Sequence, residues 1–113
     1  MFRIYHNPRC RKSREGLAIL EESGEPFQVV KYLENPPHYL EMAAIVGKLH
    51  VPAIDLIRKN ESIWKEKFKG KEMTDKEVIQ AMVDYPILIE RPIIVHDNKA
   101  VIGRPPEKIK NIL

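Results

Sequence analysis

The chain has a single cysteine among its 113 residues. One sulfur excludes an intramolecular disulfide and fits a reducing compartment. No apolar run approaches the roughly 20 residues that span a bilayer, and the N-terminus has no signal-peptide h-region, so a soluble cytoplasmic protein is expected. A block of like charge is also missing. The net charge of +3 is spread through runs of mixed sign such as Glu61, Lys65, Glu66 and Lys67, the pattern of solvated helix faces. A slightly basic protein suits small oxyanions as easily as nucleic acid; the missing block gives no argument for the latter, and composition alone does not choose. His38, His50 and His96 have no metal-ligand spacing with Cys10, so no metal site is expected. There are no repeats, linkers or low-complexity segments, and the length supports one core without staples. A single domain over residues 1–113 is the expectation.

What is present begins at that cysteine. Cys10 sits in His6-Asn7-Pro8-Arg9-Cys10-Arg11-Lys12-Ser13-Arg14, between a strand-like start (Phe2, Ile4) and a helical pattern from about Ser13 to Glu22. A sulfur at a strand-to-helix junction lies at the positive end of a helix dipole, here ringed by Arg9, Arg11, Lys12 and Arg14. Such surroundings favour thiolate, the nucleophilic form. The alternative is a buried structural cysteine, which four basic residues this close argue against.

Gly24 and Pro26 stop the first helix, and Phe27–Tyr32 reads as a second strand, parallel to the first because a helix lies between them. Pro36-Pro37 opens a helical section of about residues 38–84. Its helices are expected at Tyr39–Leu49 (through Leu40, Ala43, Ala44, Val46 and Leu49), Pro52–Ile57, Glu61–Phe68 and Thr74–Val83. Ile63, Trp64 and Phe68 are the third helix's apolar contacts, and Trp64 with Phe68 is expected in the core of this insert. Thr74 with Glu77 forms a capping box, and Val78, Ile79, Met82 and Val83 give the last helix its buried face. Pro92–Val95 and Ala100–Ile102 read as antiparallel strands joined by a turn at His96–Lys99. Pro105-Pro106 start a terminal helix with Ile109, Ile112 and Leu113 inward. The order is β-α-β, helices, then β-β-α. Without its insert this is an α/β thioredoxin-like arrangement, a mixed four-stranded sheet with Cys10 opening the first helix.

Several phrases resemble the glutathione- and glutaredoxin-dependent arsenate reductase family. They are Tyr5-His6-Asn7-Pro8-Arg9-Cys10 with Ser13-Arg14, Tyr32-Leu33-Glu34-Asn35-Pro36-Pro37, Leu56-Ile57-Arg58-Lys59-Asn60, Ile89-Glu90-Arg91-Pro92-Ile93 and Gly103-Arg104-Pro105. They run in order over nearly the whole chain. The resemblance implies that Cys10 attacks arsenate and that Arg58, Arg91 and Arg104 hold the oxyanion, a task suited to arginine's permanently charged fork. It implies a cis bond before Pro92, facing the sulfur. It also implies no bound cofactor, with glutathione as co-substrate and glutaredoxin as protein partner. The lone cysteine agrees with that route, since the resolving thiol must come from outside.

At the residues around the sulfur, alternatives stay open. His6, charged, would help hold the thiolate; neutral, it would bond the Asn7-Pro8 turn. Ser13 would cap the helix backbone or donate to the sulfur. Arg14 completes the motif. The family's arsenate reductases usually have Gly-Thr where this chain has Arg11-Lys12, positions whose backbone N–H groups can face the anion. A phosphatase-type mechanism, whose loop needs Cys-x5-Arg, is disfavoured by Gly16. Two other functions stand beside the reductase: a relative acting on another thiol-linked substrate, and a redox-responsive transcriptional regulator similar to Spx. That regulator typically uses Cys-x-x-Cys, and Ser13 removes its second sulfur.

Overall fold

Alternation in Phe2-Arg3-Ile4 sends Phe2 and Ile4 to one face of a strand, and both are buried. In the computed structural model, which describes all 113 residues, this is β1 (Phe2–Tyr5), followed by α1 (Arg11–Glu22) and β2 (Phe27–Val30). Later come β3 (Ile93–His96) and β4 (Lys99–Ile102). The sheet order is β2-β1-β3-β4. β1 and β2 are parallel, with Ile4 opposite Val29. β1–β3 and β3–β4 are antiparallel, with Ile4 opposite Ile94 and Ile94 opposite Val101. This is the mixed thioredoxin-like sheet expected from the sequence. The turn between β3 and β4 places Asp97 at φ 54°, a left-handed geometry that aspartate tolerates.

The chain forms two compact units, one of residues 1–35 with 91–113 and one of residues 36–90. In the first, Phe2, Ile4, Leu20, Ile94 and Ile109 form the core, with Leu17, Ile19, Phe27, Val101 and Ile112 packed around them. Here α1 packs on the chain's last turns. Those turns form a 3-10 helix, Pro106–Ile112. Ile109 is fully buried, Ile112 is partly buried, and Leu113 remains 47% exposed. The expectation that Leu113 points inward is therefore corrected: three residues make a 3-10 turn, so Ile109 and Ile112 share the inward face and Leu113 lies a third of a turn away from it.

In the second unit, α2 (Tyr39–Leu49) has the predicted bounds but a different buried face. Met42, Ile45 and Val46 are buried, while Leu40 is 81% exposed. The buried stripe follows three- and four-residue steps from Met42, and Leu40 lies two positions away, nearly opposite. A 3-10 helix (Ala53–Leu56) and α3 (Ser62–Lys67) follow, with Trp64 buried and stacked at 5.3 Å on Phe68. Then comes α4 (Asp75–Asp84), packed on α2. The capping box forms as read: Glu77 N–H donates to Thr74 Oγ1 at 3.2 Å, and Thr74 N–H donates to Glu77 Oε1 at 2.9 Å. Val78, Ile79 and Met82 are buried, whereas Val83 is only half-buried. Ile57 and Ile89 pair as an antiparallel bridge, flanked by Arg58 N–H to Leu88 O and Glu90 N–H to Leu56 O, both 2.8 Å. No helix is long and apolar enough to cross a membrane.

Candidate functional site

The segment between β1 and α1 is held by its own polar groups. His6 N–H continues the sheet by donating to Val30 O at 2.9 Å. Asn7, 5% exposed, folds the next turn: its Oδ1 accepts from Arg9 N–H and its carbonyl accepts from Cys10 N–H, both at 3.0 Å. An asparagine bonding the backbone two residues on is a side-chain turn. The Asn7-Pro8 pair carries that signal in the sequence. The loop delivers Cys10 as the N-cap of α1, which begins at Arg11, two residues earlier than the periodicity predicts.

Cys10 has extended backbone geometry, and no side chain closes the helix end. The backbone N–H groups of Lys12 and Ser13 are left facing its sulfur. Burial pushes the thiol pKa up. The Ser13 N–H, the hydrogen bond and charge of Arg91, and the Lys12 N–H outweigh that, so the thiol ionises below its ordinary value. The local ring of cations is directed elsewhere. Arg11 pairs with Glu15 at 2.9 Å, Lys12 approaches Glu15 at 3.7 Å, and Arg14 donates to Pro8 O at 3.1 Å. Arg9 is exposed. Long side chains on a first helical turn splay outward into water. A cation that acts on the sulfur comes from 81 positions along the chain, at Arg91.

Arg91 is 8% exposed. Its carbonyl accepts from Arg104 Nη1 at 3.1 Å, and the same Nη1 stands 3.9 Å from Cys10 Sγ. Arg91 and Arg104 thus meet at the cysteine, and each precedes a cis proline, Pro92 and Pro105. The first of these bonds was expected; the second was not. Arg58 lies in the other unit, with Nε 3.2 Å from Glu61 Oε2 and Nη1 3.2 Å from Glu90 Oε1. Burial acts to lower its pKa, and the two carboxylates raise it overall.

Pro92 is seated between two glycines that the sequence gave no reason to join. A Cβ on Gly16 would lie 2.8 Å from Pro92 Cγ and 3.1 Å from Ile109 Cδ1. A Cβ on Gly103 would lie 2.9 Å from Pro92 Cγ and 3.3 Å from Ile109 Cδ1. Gly103 N–H also donates to Pro92 O at 2.8 Å. Hydrogen side chains on α1 and after β4 let the proline ring sit between them, and that fixes the backbone from which Arg91 reaches the sulfur.

Ser13 is fully buried, and its hydroxyl neither caps the helix nor donates to the sulfur. It accepts from Asn7 N–H at 3.0 Å and lies 2.7 Å from His6 Nδ1. Both predicted roles for that hydroxyl are corrected; only the Ser13 backbone N–H serves the sulfur. The pKa of His6 is lowered by burial first and then by the charges of Lys31 and Arg14, with Glu21 opposing. The ring is the neutral alternative of the two left open, bonded to Ser13 and not to the turn. Arg14 braces the loop through Pro8 O, as a structural support.

The ArsC family profile matches residues 5–112. The uncharacterized protein YfgD of Escherichia coli strain K12 is 44% identical over 113 residues, covering 98% of this chain and 95% of that protein. The arsenate reductase of Neisseria meningitidis serogroup A is 41% identical, covering 98% and 97%. Among solved structures, the arsenate reductase from Vibrio cholerae superposes with a TM-score of 0.94 at 42% identity, covering 99% of this chain and 97% of that one.

Proposed function

The chain belongs to the ArsC family, and from that membership we propose that it is a cytoplasmic arsenate reductase using glutathione and glutaredoxin. The observation that carries this reading is the convergence of Arg91, Arg104 and two backbone N–H groups on an easily ionised Cys10. An anionic sulfur approaches an oxyanion only when positive groups offset the repulsion, and preorganised donors do so without reorganising. Arg91 and Arg104 hold arsenate at the sulfur, joined by Arg58 through its motif match. The Cys10 thiolate, monoanionic arsenate and a proton give a sulfur–arsenic bond and water. Glutathione then attacks the Cys10 sulfur. A sulfur–sulfur bond forms, the sulfur–arsenic bond breaks with its electron pair staying on arsenic, and the thiol proton passes to the arsenite released. Glutaredoxin, a dithiol, reduces the mixed disulfide to Cys10 and glutathione and is itself oxidised to a disulfide. The absence of a second cysteine supports this external route.

The test is arsenate-dependent NADPH oxidation with glutathione, glutaredoxin and glutathione reductase supplied. Saturable turnover that requires glutathione and disappears in Cys10→Ser is expected. Wild-type silence, or equal turnover by Cys10→Ser, overturns the proposal.

A further inference from the structure

Residues 6–9 and the chain beyond β2 enclose a cavity of about 250 Å³ that the chemistry at Cys10 does not use. Its walls carry charged groups that no other side chain of the protein pairs. Arg9, Lys31 and Glu34 are exposed, and none of their side chains enters an ion pair within the chain. Leu33 beside them is 41% exposed.

His6 also lines this cavity and is itself 5% exposed. Its Nδ1 lies 2.7 Å from Ser13 Oγ, which already accepts from Asn7 N–H and has no acceptor besides the ring for its own proton. The hydroxyl therefore donates to Nδ1, which leaves the hydrogen of the neutral ring on Nε2. Nε2 has no hydrogen-bond partner within the chain and is not among the polar atoms sealed from solvent. A donor that opens from a buried ring onto the cavity is placed to meet an acceptor there.

Two cations, one carboxylate and one neutral N–H donor match the head of an α-amino acid. Its carboxylate suits His6 Nε2–H, Lys31 and Arg9, and its ammonium suits Glu34. At about 250 Å³ the cavity has room for such a head. Cys10 directly follows Arg9 in the chain, and an extended peptide covers about 3.5 Å per residue, so a thiol two bonded units from the head is within reach of the sulfur. Given the reading above, in which the reductant comes from outside, we propose that this cavity docks the γ-glutamyl head of a thiol peptide of the glutathione class.

Titration of the full chain with S-methylglutathione, which cannot exchange with Cys10, tests the docking without arsenate. Saturable binding is expected. Loss of one exposed charge contact in Lys31→Ala, Arg9→Ala or Glu34→Gln should weaken it by about threefold, and the Lys31→Ala/Arg9→Ala pair by about tenfold. The dimethyl ester of the same probe should not bind. In the coupled assay the double variant should raise KM for glutathione by a similar factor while leaving KM for arsenate and the Cys10 alkylation rate unchanged. No binding by wild type, or binding equal in wild type and the double variant, overturns the docking site. Binding with the expected losses in a protein that never reduces arsenate supports the site and removes only the assigned reaction. Turnover whose glutathione KM ignores Lys31 and Arg9 removes the site and leaves the reaction.

Discussion

Two regions of this molecule use arginine in opposite ways. In residues 36–90, Arg58 is held between Glu61 and Glu90, and its charge is spent on carboxylates from its own unit. In the unit that contains Cys10, Arg91 turns its hydrogen bond and charge to a sulfur, and Arg104 bridges that sulfur and the Arg91 carbonyl. An arginine committed to two carboxylates can hold an incoming oxyanion only in competition with them. One aimed at a thiolate is already placed where negative charge gathers. The family motif treats the three alike, and their surroundings do not.

That contrast should fail or sharpen first in the alanine variants. Arg91→Ala and Arg104→Ala should each lose about 2 kcal/mol or more in kcat/KM for arsenate, as when one preorganised donor is removed. Arg58→Ala should lose less. Lysine at 91 or 104 should restore only part, because the bidentate fork is gone. Steady-state kinetics decide the matter, and an Arg58→Ala loss equal to that of Arg91→Ala would erase the distinction.

The next effect concerns how Arg91 is positioned. Gly16→Ala and Gly103→Ala each force a methyl group within 3 Å of Pro92. Overpacking of this kind should cost about 1 kcal/mol or more in stability, measured by denaturant melts. The same variants should raise the Cys10 thiol pKa, read from the pH dependence of alkylation, because Arg91 moves with Pro92. A stability loss with an unmoved thiol would make the glycines packing residues only.

A smaller effect is expected at the local cations. Arg11 and Lys12 are turned to Glu15. Replacing them with Gly-Thr should therefore change turnover by less than tenfold, about 1.4 kcal/mol. A larger change in the coupled assay would return their side chains to the anion site.

The smallest expected signal is the pH dependence of stability. Because the folded thiol ionises below its ordinary value, the folded state binds fewer protons than the unfolded chain between the two pKa values. The contribution is fully present above the unfolded thiol pKa and is lost as pH falls through the folded one. Denaturant midpoints of wild type relative to Cys10→Ser should therefore rise with pH across that window. A flat difference would mean that Arg91 and the helix N–H groups do not act on the sulfur.

The sequence by itself determined the elements and their order. Strand alternation in Phe2–Tyr5, the Thr74–Glu77 box and the short His96–Lys99 turn are local, and local physics wrote them. It also placed Cys10 at a strand-to-helix junction, and it missed what packing decides, such as the exposure of Leu40 and the partners of the Ser13 hydroxyl. Tertiary structure decided which groups act on the sulfur. Four neighbouring cations were legible beside Cys10, yet Glu15, the Pro8 carbonyl and water take them. Arg91 reaches it because cross-strand pairing of β1 with β3 brings residue 91 back to residue 10. The seat of Pro92 between Gly16 and Gly103, the bond from His6 to Ser13, and the two carboxylates on Arg58 were likewise invisible, since each joins residues by packing and not by spacing. A pattern along one chain records which way each side chain is sent, and only the folded chain fixes what it meets there.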